Sequence, residues 1–219
     1  MSFTKLVRLY PSKKIDWDNI FLAMAYLMAT GSHCSARKTA SILVKNKAII
    51  STGVNGTPDG AVNCDELFPP KSEMTPEQRL QHKEFQAYAE IHAEMNAINM
   101  AASSSTDITG STLYTVCKPC HDCMKNILKA GITRIVYYEV QKNANGSSLN
   151  NKNGHEFHPV ITETIDVRKM EIIQKNIDWE AFGLYQKNVA KQQNTKPLKF
   201  AKIRRWINTR LSGINWNQK

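Results

Sequence analysis

Seven residues, "CKPCHDC" from Cys117 to Cys123, hold four candidate metal ligands and fit three incompatible motifs. Read as C-x-P-C, Cys117 and Cys120 would form a redox pair, whereas C-x-x-C-H, ending at His121, would attach a c-type haem. Read as P-C-x-x-C, Pro119 to Cys123 supplies half of a zinc site. The strand-like "LYTV" enters the motif and a helix is expected to leave it near Pro119, because proline suits a first helical turn. Cys120 and Cys123 then share one face of that turn, beside free N–H groups and the positive end of the helix dipole. Such surroundings favour thiolates and prepare both sulfurs for Zn²⁺. Cys117, at the strand end, points elsewhere and reads as a buried thiol. His121 reads as a solvated neighbour rather than a ligand.

Two sulfurs need a third ligand, and "EIHAEMNAI" (Glu90 to Ile98) offers His92. His92 and Glu94 would lie about 200° apart round a continuous helix. They converge on one centre only at a helix start, so a break is expected near Ile91. Three protein ligands, His92, Cys120 and Cys123, leave a fourth position open, which is the catalytic rather than the structural arrangement. The joint pattern H-x-E…P-C-x-x-C is the signature of zinc nucleobase deaminases. The chemistry it predicts is addition of an activated water at C4 of a cytosine ring. Glu94, not a ligand, would carry the proton to N3 and then to the leaving amino group.

Asp16 can cap a helix whose apolar residues Ile20, Phe21, Met24, Leu27 and Met28 recur at helical spacing, up to Gly31. "SILVK" and "AIISTG" flank Asn46-Lys47 as a β-hairpin, and Gly53 to Cys64 reads as a loop. Residues 76–102 look mostly helical; "STLYTV" and "TRIVYYEV" read as strands around the helix "CHDCMKNILKAGI", which ends near Gly131. The alternation predicts an α/β fold, three-layer α/β/α with a central mixed sheet. Gln141 to Gly154 is a polar, low-complexity loop.

The net charge of +10 is concentrated at one end: residues after Glu180 contain nine Lys or Arg and no acid, whereas residues 1–180 hold 20 basic and 19 acidic groups. A near-neutral body gives no support to a large nucleic-acid face there, and the question stays open for the basic tail. The longest apolar run, Ile20 to Ala29, is too short to span a bilayer, so no membrane partner is expected. The first residues show no secretory h-region, which predicts a cytoplasmic protein, in the host cytoplasm if viral, with reduced thiols. That expectation also speaks against attached haem. The division predicted is an N-terminal extension 1–17, a catalytic domain 18–180 and a basic C-terminal extension 181–219. The apolar stripe Phe200, Ile203, Ile207 and Leu211 would let the last segment pack on a neighbouring subunit or bind a polyanion.

Beyond these motifs, the chain from about residue 18 to 140 resembles the deoxycytidylate (dCMP) deaminases, above all their T-even bacteriophage branch. "CSARK" (Cys34 to Lys38), "STGVNGTPDGAVNC" (Ser51 to Cys64), "HAEMNAI" and "PCHDC" carry the resemblance. It implies a cytidine-deaminase-like fold, dCMP as substrate, dUMP as product, a role in thymidylate supply, and catalytic Zn²⁺. It further implies a homohexamer activated by dCTP, with Mg²⁺ accompanying that effector, and inhibited by dTTP. By analogy Asn55 meets the deoxyribose and Glu94 the base, Arg37 and Lys38 are candidates for phosphate, and Ala93 belongs to the same nucleotide pocket. The branch also carries a second zinc, whose matching positions here are Cys34, Cys64, His82 and Glu90. The chain departs from the family at Gln141-Lys142, where an aromatic residue often followed by Arg is usual. Lys142 could replace the phosphate contact, but Gln141 cannot stack. Two rivals stay open: a deaminase of single-stranded nucleic acid or another cytosine nucleotide, and a catalytically silent zinc protein, which would not need Glu94.

Overall fold

The computed structural model describes residues 15–138 and 157–182. The Gln141-Lys142 pair, nearly all of the N-terminal extension and nearly all of the basic C-terminal extension lie outside the described residues. Asp16 caps α1 (Trp17–Met28) by accepting from the Asn19 N–H at 3.1 Å. A 3-10 turn, Ala29–Gly31, follows it. The hairpin comprises β1 (Ala40–Lys45) and β2 (Ala48–Val54), joined by Asn46 and Lys47 at φ 52° and 64°. Both turn residues are left-handed, as a two-residue hairpin turn demands.

Then come the short α2 (Cys64–Leu67), α3 (Pro76–Tyr88), α4 (Ala93–Ser103), β3 (Thr112–Thr115), α5 (His121–Lys129) and β4 (Arg134–Tyr137). The described chain continues through α6 (Pro159–Arg168) and β5 (Glu171–Gln174). The strands form one mixed sheet in the order β2-β1-β3-β4-β5. β1 pairs antiparallel with β2 and β3, while β3–β4 and β4–β5 are parallel.

Strand alternation sends side chains to two cores. Ile42, Val44, Tyr114 and Val136 pack against α1 through Phe21, Leu22 and Ala25. Leu43, Leu113 and Ile135 face the other way, onto Ala97 of α4 and Met124 and Ile127 of α5. The expected three layers and mixed sheet are present. β5 and α6 extend the sheet beyond the sequence expectation. Among the described residues no helix is long and apolar enough to cross a membrane.

α4 lies very close to β2. A Cβ on Gly53 would come within 2.2 Å of the Ala97 nitrogen and 2.3 Å of the Ala93 oxygen. Ser51 Oγ donates to Ala97 O at 2.6 Å, and Asn96 Nδ2 donates to Val54 O at 2.7 Å. The start of α4 is thus fixed against the sheet edge.

Candidate active site

The break expected near Ile91 is real. α3 ends at Tyr88, and Ile91 leaves the helical path to form an isolated antiparallel bridge with Gly56. His92 is the N-cap of α4 in extended conformation (φ −66°, ψ 151°), and Cys120 is the N-cap of α5 (φ −76°, ψ 174°). Pro119 therefore precedes the cap rather than occupying the first turn: the helix begins at His121, two residues after the proline. Two helix N-termini converge, and the ligand atoms of His92, Cys120 and Cys123 lie within 4.8 Å of one another. His92 Nδ1 is 3.5 Å from Cys120 Sγ and 3.3 Å from Cys123 Sγ. Tetrahedral zinc with ordinary Zn–S and Zn–N bonds requires N···S edges of about 3.5 Å, so the donor set fits the ion. His92 and Cys120 are exposed and Cys123 is buried, so the cluster opens on one side.

Glu94, two residues into α4, is 4% exposed. Its Oε2 accepts from the Cys123 thiol at 3.7 Å, which puts the carboxyl at the cluster without joining the three ligand atoms. Burial raises the Glu94 carboxyl above the ordinary range. A carboxyl raised in this way holds a proton more readily than a solvated one, which suits a general acid–base. The cluster itself is polarised. The Cys123 thiol and then the His92 ring bring Cys120 down to about 4, and the Cys120 thiolate takes His92 up to about 9. Cys123, sharing its proton with that thiolate and buried, is raised.

Cys117 is buried in the α1-side core, with Thr39 Oγ1 3.5 Å from its sulfur, away from the cluster. His121 turns outward: its Nε2 accepts from the His158 N–H at 3.2 Å and its ring meets Phe157 edge-on at 5.7 Å.

A second cluster gathers Cys34, Cys64 and His82, again within 4.8 Å of one another. All three are buried, at 1%, 2% and 4% exposure. His82 is the only buried residue of α3, so this helix is anchored by a polar ring rather than an apolar stripe. Cys64 Sγ lies 3.2 Å from His82 Nε2, and Glu90 Oε2 lies 3.5 Å from Cys34 Sγ. Backbone N–H groups of Ser35 and Arg37 donate to Cys64 Sγ (3.3 Å) and Cys34 Sγ (3.4 Å), as they would to thiolate ligands. The Cys34 thiol donating to Cys64 lowers Cys64 and raises Cys34. Enclosure on all sides suits a structural ion, in contrast to the open cluster at His92. Gln86 escaped sequence reasoning. Its Nε2 donates to Glu90 Oε2 at 3.1 Å, from the last turn of α3 to a residue just beyond the helix end, and the only signal was its place four residues before Glu90.

Asn55 is 9% exposed and largely committed to the fold. Its Oδ1 accepts from Thr39 N–H (2.8 Å) and Ser32 Oγ (2.7 Å), and its Nδ2 donates to Arg37 O (2.9 Å). One amide hydrogen remains for a ligand. Lys38 Nζ donates to Ser32 O at 2.5 Å. Ala93 is fully buried under the start of α4. Asn55 thus ties the Arg37-Lys38 loop to the end of β2, next to the Gly56–Ile91 bridge.

A mixed sheet carrying an open His-Cys-Cys cluster at two helix starts, with a buried carboxyl beside it, defines a zinc-dependent hydrolytic centre. The chain belongs to the family described as the cytidine and deoxycytidylate deaminase zinc-binding region, whose profile matches residues 15–139. It is 37% identical to the deoxycytidylate deaminases of Enterobacteria phages T2 and T4, over 54% of this chain and 77% and 75% of theirs. Among solved structures it is similar to the dCMP deaminase of cyanophage S-TIM5 in complex with dCMP and dUMP. That likeness has a TM-score of 0.52 at 26% identity, covering 74% of this chain and 98% of the other.

Proposed function

We propose that the protein hydrolyses dCMP to dUMP and ammonia, in the supply of thymidylate. The observation that carries this reading is the buried Glu94 carboxyl at the open His92-Cys120-Cys123 cluster, in a chain that matches the deaminase family over residues 15–139 and phage deoxycytidylate deaminases over 54% of its length. Bound by those three residues, zinc supplies a water activated at neutral pH. With zinc held there, Glu94 would take one proton of the water and give it to ring N3 as oxygen adds at C4. It would then collect the proton left on the C4 hydroxyl and pass it to the amino nitrogen as the C–N bond breaks. Glu94 lies at the cluster, its Oε2 3.7 Å from Cys123 Sγ, within reach of a water held there. Arg37 and Lys38 serve the phosphate, Asn55 the deoxyribose through its free amide hydrogen, Ala93 packs beneath the floor of the same pocket between His92 and Glu94, and Lys142 replaces the usual cation beyond β4. The deaminase domain is read as residues 18–180. The homohexamer, regulation by dCTP and dTTP, Mg²⁺ with the effector, and cytoplasmic location rest on the family resemblance and the composition.

Ammonia release from dCMP, dCTP, cytidine, deoxycytidine and a single-stranded DNA oligomer, each with and without dCTP as effector, tests the substrate. dCMP should far exceed deoxycytidine, because the phosphate needs a cationic partner. Equal rates on nucleoside and nucleotide would move the chain to the nucleoside deaminases, and preference for the oligomer would move it to the polynucleotide ones.

Cys34, Cys64, His82 and Glu90 are read as a structural zinc site that clips the loops at Cys34 and Cys64 to α3. Zinc analysis should then give about two ions per chain. Cys64→Ser should lose one of them and keep the catalytic zinc.

A further inference from the structure

Three buried side-chain oxygens among the described residues have no hydrogen-bond partner: Thr57 Oγ1, Glu90 Oε1 and Ser111 Oγ. Two of them belong to facing backbone segments. Gly56 and Ile91 form an isolated antiparallel bridge and exchange both hydrogen bonds, Gly56 N–H to Ile91 O at 3.2 Å and Ile91 N–H to Gly56 O at 2.8 Å. In antiparallel pairing the residues flanking such a bonded pair face each other in the closer, unbonded register, with Cα atoms about 4.5 Å apart. Extending that register by one residue sets Thr57 opposite Glu90 and Asn55 opposite His92. A buried hydroxyl without an acceptor and a buried carboxylate oxygen without a donor are costly separately and complementary together.

The carboxylate's two oxygens have different surroundings. Oε2 lies 3.5 Å from Cys34 Sγ and accepts from Gln86 Nε2 at 3.1 Å, while the carboxylate itself stands outside the compact Cys34-Cys64-His82 group, at its margin. Oε1 is the oxygen left over. Carboxylates that ligate metals are themselves held by hydrogen bonds, and loss of such a partner weakens binding about 10–100-fold.

We propose that Thr57 is a positioning residue: its hydroxyl donates to Glu90 Oε1 and aims Oε2 as the fourth ligand of the second zinc site. The inference rests on the reading of Cys34, Cys64, His82 and Glu90 as a zinc site. It assigns a role to Thr57 within the "NGTPDG" loop, whose hydroxyl and the Glu90 Oε1 it would meet are both buried and unpartnered. Because Glu90 and His92 flank the bridged Ile91, the same loop braces the segment that links the second cluster to the catalytic one.

The test uses the zinc-loaded full chain and compares Thr57→Val, which keeps the shape and removes the hydroxyl, with Thr57→Ser, which keeps the hydroxyl. Zinc release to a colorimetric chelator is followed, and the second site is reconstituted with Co²⁺ to record its visible d–d bands. Thr57→Val should release one of the two ions about tenfold or more faster. Its Co²⁺ bands should shift as they do in Glu90→Gln, while Thr57→Ser stays close to the parent and the catalytic zinc is retained throughout. Parent-like release and spectrum in Thr57→Val, or a Thr57→Ser as impaired as Thr57→Val, would overturn the role of the hydroxyl. Cys64→Ser separates the two layers of the argument. If it loses one zinc while Thr57→Val does not, only Thr57 is misassigned; if it loses none, the second site falls and this inference with it.

Discussion

His92 and Glu94 sit two residues apart, yet their surroundings give them different chemistry. His92 caps α4 and is exposed, so its ring can share an ion with Cys120 and Cys123. Glu94 is inside the first turn, 4% exposed, and burial keeps its carboxyl ready to hold a proton. His92→Ala, Cys120→Ala and Cys123→Ala should each lose the catalytic zinc together with activity, measured as zinc per chain and ammonia release. Cys117→Ser is the matched control. Its sulfur lies in the α1-side core, so zinc and most activity should be kept; loss of the catalytic ion there would mean the wrong sulfurs have been chosen. The grouping of His92 with Cys120 and Cys123 was legible in sequence because ligand spacing and helix geometry are local properties. The lateral contacts were not. Asn55 accepts from Thr39 and Ser32, and Gln86 reaches Glu90, through chain reversals that residue type alone does not encode.

At the scale of elements, the site depends on how closely α4 approaches β2. Gly53 allows that approach: an added Cβ would press on the backbone of Ala93 and Ala97, which cannot move without carrying His92 and Glu94. Gly53→Ala should cost about 1–3 kcal/mol of stability, the range for overpacking. Zinc retention should fall with it, read by thermal unfolding and metal analysis. A variant with parent-like melting and zinc content would show that α4 has room to retreat. The hairpin, α1 and the interruption between α3 and α4 followed from turn residues, caps and periodicity. β5 and α6 did not. β5 is a four-residue edge strand, and β-branched residues in α6 ("PVITETIDVR") argue locally against the helix that tertiary packing of Ile161 and Ile165 secures.

Across the whole molecule, an ion-pair network joins the first helix to three strands. Arg134 on β4 donates from both Nη atoms to Asp18 of α1 at 2.8 Å and pairs with Glu171 of β5. Tyr114 of β3 donates to Asp18 Oδ1 at 2.7 Å. Arg134, outweighing the opposing effect of burial, lowers the Asp18 carboxyl below its ordinary value. A depressed carboxyl contributes fully above its unfolded pKa and loses that contribution as pH falls through the lower folded value. Asp18→Asn should therefore cost about 1 kcal/mol at neutral pH, allowing for solvent screening. The difference from the parent should shrink below about pH 4. Equal stabilities at pH 7 would remove the network from the account. The uneven charge, visible in sequence, places the basic excess after Glu180 and leaves the catalytic body near neutral, as a small anionic nucleotide substrate permits. The central claim is that one buried carboxyl moves the protons of dCMP hydrolysis at a zinc centre it does not ligate. The most direct measurement is dUMP formation by Glu94→Ala at zinc content matched to the parent. The account predicts an unchanged catalytic zinc and turnover reduced by at least the 10²–10⁴-fold typical of a lost general acid–base. Parent-like turnover, or loss of the zinc itself, would contradict it.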